Sequence, residues 1–190
     1  MTNTRNDLRS AAAKRIAAFF FAASIASALS SAIVAQSASD STNQQHEAMK
    51  KLTFMTGQWS GPVSILRGPG EPLRLSQSEN VQFKLGGLVL LIEGKSTGSD
   101  GKAQFEAPAT VSFDVASQSY HIRAYHDGNY LDTTLTLLAD GFSWGYISGP
   151  ARIENVMHLT PKGEWQETTI VKVGENPARP SVEMLLEHKP

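Results

Sequence analysis

The chain has 190 residues, with 17 basic and 18 acidic side chains and no cysteine. This length predicts a single domain, and the absence of cysteine excludes disulfides, thiolate metal ligands and a cysteine nucleophile, so a hydrophobic core must hold the fold. The slightly acidic balance, with no cluster of Lys or Arg beyond the N-terminal segment, argues against a nucleic-acid-binding surface.

Residues 1–35 are predicted to form a signal peptide, because four basic residues precede an apolar run over 16–35 that ends in small residues. A membrane anchor is the alternative, since about 20 apolar residues can span a bilayer, but four serines dilute this run. Cleavage near Ala35 would remove four basic residues and one acid, leaving 13 basic and 17 acidic residues. We therefore expect an exported, periplasmic or extracellular protein without a membrane span in its mature form.

Small polar residues over 36–43 predict a flexible leader. Ser41-Thr42-Asn43-Gln44 matches the capping box, in which Ser and Gln side chains satisfy free amides at the start of a helix. The helix is predicted to continue to about Met55, with Ala48, Leu52 and Met55 on one apolar side. That stripe has to be buried against another element.

Gly57 and Trp59 lie where this helix is predicted to run into the first strand. Glycine lets the backbone turn without a Cβ clash, and tryptophan buries a large flat surface. We expect the helix and Trp59 to close one end of a barrel.

From Gly57 onward, Gly, Asn, Asp and Pro recur between β-rich runs at intervals typical of hairpin turns. Alternation supports strands between these turns: over 129–138, Leu131 and Leu135 share one face while Asp132 shares the other with threonines. The predicted strands are 57–67, 71–85, 87–97, 104–116, 119–126, 129–138, 141–148, 151–160, 164–173 and 181–188.

No predicted helix after Met55 could cover a sheet, so this many strands in sequence would leave open edges unless the sheet closes on itself. We therefore predict an all-β fold over 44–190: an up-and-down antiparallel β-barrel of about ten strands. A barrel of this size is wider than the roughly eight strands that side chains alone can fill, so a cavity is expected.

Several short motifs follow one another along the chain: Leu52-x-Phe54-Met55-x-Gly57-x-Trp59-x-Gly61, Gly86-Gly87, Phe113-Asp114, Tyr125-x-Asp127-Gly128 and Trp144. In this order they resemble the exported bacterial proteins of the DUF1579 type. That resemblance implies a lipocalin-like barrel of the calycin group, a class mostly without an assigned activity.

The Gly-x-Trp-x-Gly opening is also distantly similar to the nitrobindin-like haem proteins. That resemblance implies a haem-ligating histidine near the start of the final strand. Residues 178–183 contain no histidine, and His188 lies at the far end of the strand. We therefore predict no haem and no other cofactor.

A metal site needs two or three converging ligands, and of the five histidines, His121 and His126 fall on opposite faces of one strand. No metal site is predicted, although His121 could meet His158 across the barrel. His121, Arg123 and Tyr125 share one face, as in a mixed cavity wall, and charged residues that point inward must be paired or meet a ligand. The candidate cavity residues are Trp59, Glu93, His121, Arg123, Tyr125, Trp144, Tyr146, Arg152 and His158.

These observations favour a barrel that binds a small apolar or amphipathic molecule, oriented by a few polar groups. One alternative is an enzyme in the same cavity, with His121 or His158 as acid or base and Arg123 stabilising negative charge. Another is a filled structural or interaction barrel without a ligand. The sequence favours no particular oligomeric state.

Overall fold

The computed structural model describes residues 39–68 and 70–190. Its contacts divide the chain into two units, residues 1–43 and residues 44–190. The predicted signal peptide and the first three residues of the predicted leader, 36–38, lie outside the described residues. The second unit holds the sheet.

The first described element is an α-helix, α1, over residues 39–50. It has already begun at Ser39, so Ser41 lies inside it and the predicted capping box does not start the helix. Ser, Thr and Asn destabilise the interior of a helix only slightly. The helix can therefore include residues 41–43 instead of starting at them. A short 3-10 turn, Thr53–Met55, follows.

Ten antiparallel strands make up the rest of the unit, and their order and number confirm the prediction. Boundaries differ from the predicted ones by only a few residues. The strands are β1 (Gly57–Ile65), β2 (Leu73–Lys84), β3 (Val89–Thr97), β4 (Ala103–Asp114), β5 (Ser119–His126), β6 (Asn129–Leu137), β7 (Gly141–Ser148), β8 (Ala151–Leu159), β9 (Trp165–Val173) and β10 (Arg179–Lys189).

The sheet is a closed barrel in which each strand pairs with its neighbours in sequence. Closure comes from β1 and β10, which are antiparallel and place Trp59 opposite His188. Because every strand has a partner on both sides, the sheet has no free terminal edge. The predicted up-and-down barrel is therefore confirmed.

The chain that precedes β1 closes one end of the barrel. Met49, Leu52 and Met55 are fully buried in the same core as the inward side chains of the strands. The Trp59 indole donates a hydrogen bond to the Met55 carbonyl at 2.8 Å. Gly57 has a positive φ of 124°, and a Cβ there would clash with the His188 ring, so the junction requires glycine.

Among the described residues, no helix combines the length and hydropathy that a bilayer span requires.

Candidate functional site

The inward side chains of the barrel form two layers of different chemistry. Next to the closed end the layer is apolar, and Leu90, Val111, Met157 and Leu186 are fully buried there. Farther from α1, strands β2, β3, β8 and β9 carry polar side chains on their inner face. We call this second layer the polar belt; it comprises Gln77, Glu79, Ser96, Asn155, Glu167 and Thr169.

Glu79, on β2, belongs to the part of the belt that β2 and β3 contribute. Leu75 and Val81 have the same parity and belong to the buried face, so the strand geometry directs Gln77 and Glu79 inward. Gln77 donates through Nε2 to Glu79 Oε1 at 2.6 Å, and it accepts a hydrogen bond from the Ser96 hydroxyl. The three polar groups therefore form one connected chain.

Gly94 leaves room for the Glu79 carboxyl group. It pairs with Glu79 across β2 and β3, and a Cβ at this position would lie 2.8 Å from both carboxyl oxygens. This glycine is needed for space, since its φ is not positive. Any larger residue at position 94 would displace the Glu79 side chain.

Burial raises the pKa of Glu79 to about 8 from its ordinary value of 4.5, against the hydrogen bond from Gln77, which lowers it. The charge of Glu167 raises the pKa further. Water stabilises a carboxylate more than a buried site does, which is why burial favours the protonated form. At neutral pH, Glu79 is therefore mostly uncharged.

Glu167, on β9, is the second carboxyl of the belt. It accepts a hydrogen bond from the Trp165 indole at 2.9 Å and pairs in register with Met157 and Met184 on the neighbouring strands. Burial raises its pKa to about 7, and the Trp165 hydrogen bond lowers it. Unlike Glu79, Glu167 keeps partial contact with solvent.

Asn155 completes the belt on β8. Its side-chain oxygen accepts a hydrogen bond from Thr169 at 2.7 Å, but its Nδ2 has no hydrogen-bond partner. The residue is only 6% exposed. A buried donor without a partner costs about 1–3 kcal/mol, so this amide is available to an acceptor that enters the barrel.

Three of the residues predicted from the sequence face the interior. Trp59 is buried and packs edge to face with Trp165 at 5.7 Å. Trp144 and Tyr146 stack at 6.0 Å with an interplanar angle of 14°, and they share the inward parity of buried Phe142 on β7. An aromatic wall therefore exists at this side of the barrel.

The predicted inward orientation of the β5 residues is wrong. Tyr120 and Ile122 occupy the buried face of this strand, so His121, Arg123 and Tyr125 must lie on the other one. These three side chains end in polar groups and were therefore predicted to line a cavity, but they form part of the solvent-facing outer surface. There Arg123 is hydrogen-bonded to Asp132, and Nδ1 of His121 lies 3.7 Å from the same carboxylate.

Glu93, Arg152 and His158 also lie on the outer face, contrary to prediction. Glu93 accepts a hydrogen bond from Asn80 at 3.1 Å, and Arg152 is exposed. His158 lies 2.7 Å from Asp140. A pairing of His121 with His158 across the interior is therefore wrong.

A cleft of about 370 Å³ lies at the seam between β6 and β7. These strands pair over only three residues each, Leu135–Leu137 with Phe142–Trp144. Next to this paired stretch, the Thr133 hydroxyl donates a hydrogen bond to the Gly145 carbonyl at 2.9 Å. Most of the residues that line the cleft, such as Arg152, belong to the outer face of the sheet, and inward-facing Trp144 and Tyr146 also line it. The seam therefore brings solvent to the aromatic wall from the side.

Within the described part of the chain, no three His, Asp or Glu side chains converge as a metal site requires.

No family model matches the sequence, and no curated protein matches it. Among solved structures, the chain is similar to Rv2717c from M. tuberculosis, with a TM-score of 0.57 and 11% identity over 75% of this chain and 98% of that one. A likeness at this identity shows the barrel fold alone. The resemblance to the DUF1579 type stays a prediction.

The polar belt was largely missed by reasoning from sequence. Glu167 could be noticed as a charged residue of the same parity as Trp165 within a predicted strand. Gln77 and Glu79 alternate with Ser76, Ser78 and Asn80, so both faces of β2 are polar over this stretch. The available signal was the spacing of Leu75 and Val81, which marks the odd positions as inward.

Proposed function

We propose that the protein binds a small, largely apolar molecule inside the barrel, between the polar belt and the end opposite α1. The observation that carries the proposal is the partial exposure of inward-facing side chains in this half. Tyr146, Val171 and Val182 face the interior by register but are only half-buried. Space that solvent reaches between apolar walls is typical of a ligand pocket.

The chemistry of the walls supports a ligand that is mostly apolar with a few polar groups. Trp144 and Tyr146 offer aromatic faces, while Glu167 and the free amide of Asn155 offer directed hydrogen bonds. Arg123 and Tyr125, which were predicted to line the cavity, belong to the outer face and have no part in this proposal.

The geometry gives less support to the two alternatives. An enzyme that uses His121 or His158 with Arg123 would need these groups together in the cavity, and each lies outside it. A filled structural barrel would bury all of its inward side chains at both ends, whereas away from α1 Ile153 is buried but its partner on β9, Val171, is only half-buried.

We further infer export of the mature protein and membership of the DUF1579 type. The basic residues and apolar run of residues 1–35 support export, and the order of motifs from Leu52 to Trp144 supports the family. Mass determination of the protein from its own host tests export: loss of about 35 residues is expected, and an intact N-terminus in the cytoplasm would contradict it.

Native mass spectrometry of the protein purified from its host tests binding directly, since a retained small molecule adds mass. An environment-sensitive apolar dye gives a second measurement. We expect Val171→Trp, which fills the pocket, to weaken dye binding about tenfold or more, because a bulky side chain then occupies the ligand's volume.

Lys172→Trp is the matched control, because Lys172 lies next to Val171 on the outer face of β9. It should leave dye binding unchanged while adding the same indole. Equal dye binding by wild type, Val171→Trp and Lys172→Trp would place the dye on the outer surface and contradict the proposal.

A further inference from the structure

Glu79 and Glu167 are two acids inside the barrel without a cationic partner. Among the described residues, the exposed acids Glu106 and Asp132 form salt bridges with Lys95 and Arg123, whereas neither interior glutamate forms one. The buried polar and charged residues include no Lys or Arg. A buried carboxylate without a counter-charge is costly, so each must stay protonated or meet a cation from outside.

The other titratable groups that face the belt do not supply this charge. His188 lies against the Trp59 ring, at 4.7 Å between centroids, and its Nε2 is 3.3 Å from the Thr56 carbonyl. Arg179 pairs with Val171 at the start of β10 and is exposed. Both therefore lie at the ends of the barrel rather than at the carboxyl groups.

Asn155 gives a second, independent sign of a ligand. Its Nδ2 is buried and unpartnered, and its Oδ1 is fixed by Thr169, two residues from Glu167 on the inner face of β9. Trp144 pairs with Asn155 in register. An acid, a free donor and an aromatic face therefore lie on three adjacent strands.

We propose that the pocket is selective for a small organic cation: a protonated amine on an aromatic or apolar body that also carries a hydrogen-bond acceptor. The ammonium group binds Glu167 and Glu79, the acceptor binds Asn155 Nδ2, and the body lies against Trp144 and Tyr146. This inference rests on the proposed binding function and names the class of ligand.

Each part of such a ligand meets a complementary group. An ammonium group forms strong, charge-assisted hydrogen bonds with a carboxylate, and the faces of Trp and Tyr also attract cations. A neutral ligand would leave the two acids protonated, while an anionic ligand would be repelled by any carboxylate in the belt. The order of affinity is therefore amine, then alcohol, then acid.

Binding of the amine is linked to proton release. The cation favours the ionised carboxyl groups, so a group that holds a proton in the free protein loses it in the complex. Affinity for the amine should rise between about pH 6 and about pH 8, where the two groups titrate in the free protein. Affinity for an alcohol should not rise in this range.

Calorimetric titration with two matched sets of probes tests the proposal: phenethylamine, phenethyl alcohol and hydrocinnamate, and then octylamine, octanol and octanoate. Near neutral pH we expect the amine to bind about tenfold more tightly than its alcohol in at least one set. Comparing buffers of different ionisation enthalpy should show proton release for the amine alone.

Two variants locate the effect. Glu167→Gln keeps the side-chain shape and the bond from Trp165 but removes the negative charge, so the preference for the amine should disappear. Glu183→Gln is the matched control, because Glu183 lies on the exposed face of β10 next to inward-facing Met184; it should retain the preference.

The outcomes separate the two proposals. If the dye binds and Val171→Trp blocks it, but no amine binds more tightly than its alcohol, the pocket stands and cation selectivity is overturned. Preference retained in Glu167→Gln also overturns it. If neither the dye nor any probe binds, both proposals fail.

Discussion

The two halves of the barrel interior are built from the same strands and differ in what fills them. On β8, Met157 is fully buried beside the helical end, while Ala151, at the opposite end of the same face, is only half-buried. The difference is the segment before β1, whose Met49, Leu52 and Met55 enter one half. In the other half, no described segment of the chain fills the interior, and we propose that a ligand occupies this space.

The comparison predicts that the same substitution has unequal cost in the two halves. Leu52→Ala should lower the free energy of unfolding by about 2–5 kcal/mol, because it leaves a cavity in a fully enclosed core. Leu131→Ala, at an inward but half-buried position of β6, should cost much less, since solvent already reaches it. Urea unfolding of both variants measures the difference.

Equal costs would show that the two halves are packed alike, and the pocket would then have no basis. A third variant, Leu185→Ala, serves as the control, because Leu185 is an exposed leucine of β10. It should change stability least of the three.

The barrel was predictable because its signals are local and repeated. All hairpin turns except residues 115–118, between β4 and β5, carry Gly, Asn, Asp or Pro, and ten strands in a row require closure to satisfy their edges. The closed end was also predictable, since Gly57 and Trp59 combine a backbone requirement with a large apolar side chain. These features depend on short stretches of sequence, which a single chain displays directly.

The orientation of polar residues was harder to predict, because strand parity depends on which residues are buried together. On β5, His121-Ile122-Arg123-Ala124-Tyr125 can be read with either face inward, and only contact with the rest of the core selects Ile122. Glu79 and Glu167 are far apart in the chain, on β2 and β9, and face a common interior only because the sheet closes. No local pattern could therefore reveal the pair.

The two halves should also differ in how pH affects their stability, because the carboxyl groups of Glu79 and Glu167 both lie in the belt. The folded chain holds a proton on Glu79 up to about pH 8, whereas the ordinary pKa is 4.5. Between these values the folded state binds more protons than the unfolded state, so the free energy of unfolding falls as pH rises. The slope from this one group is at most about 1.4 kcal/mol per pH unit.

Glu79→Gln should flatten this dependence, leaving the variant more stable relative to wild type at pH 8 than at pH 5. Chemical unfolding across this range measures it. Glu93→Gln is the control, because Glu93 lies on the exposed face of the adjacent strand, hydrogen-bonded to Asn80. A wild-type protein whose stability does not fall above pH 5 would contradict the buried carboxyl.

The smallest effect is expected on the outside of the barrel, at Arg123, which was predicted to be a cavity residue. Arg123→Ala removes an exposed ion pair with Asp132 and a contact with the Tyr130 ring at 5.6 Å. Water and salt screen such pairs, so the urea midpoint should move less than in Leu52→Ala or Glu79→Gln, and less still in high salt.

Dye binding should be unchanged, because this side chain is separated from the pocket by the sheet itself. A loss of dye binding in Arg123→Ala as large as that in Val171→Trp would mean that the ligand lies on the outer face of β5 and β6. The difference between the two halves of the interior would then have no bearing on ligand binding.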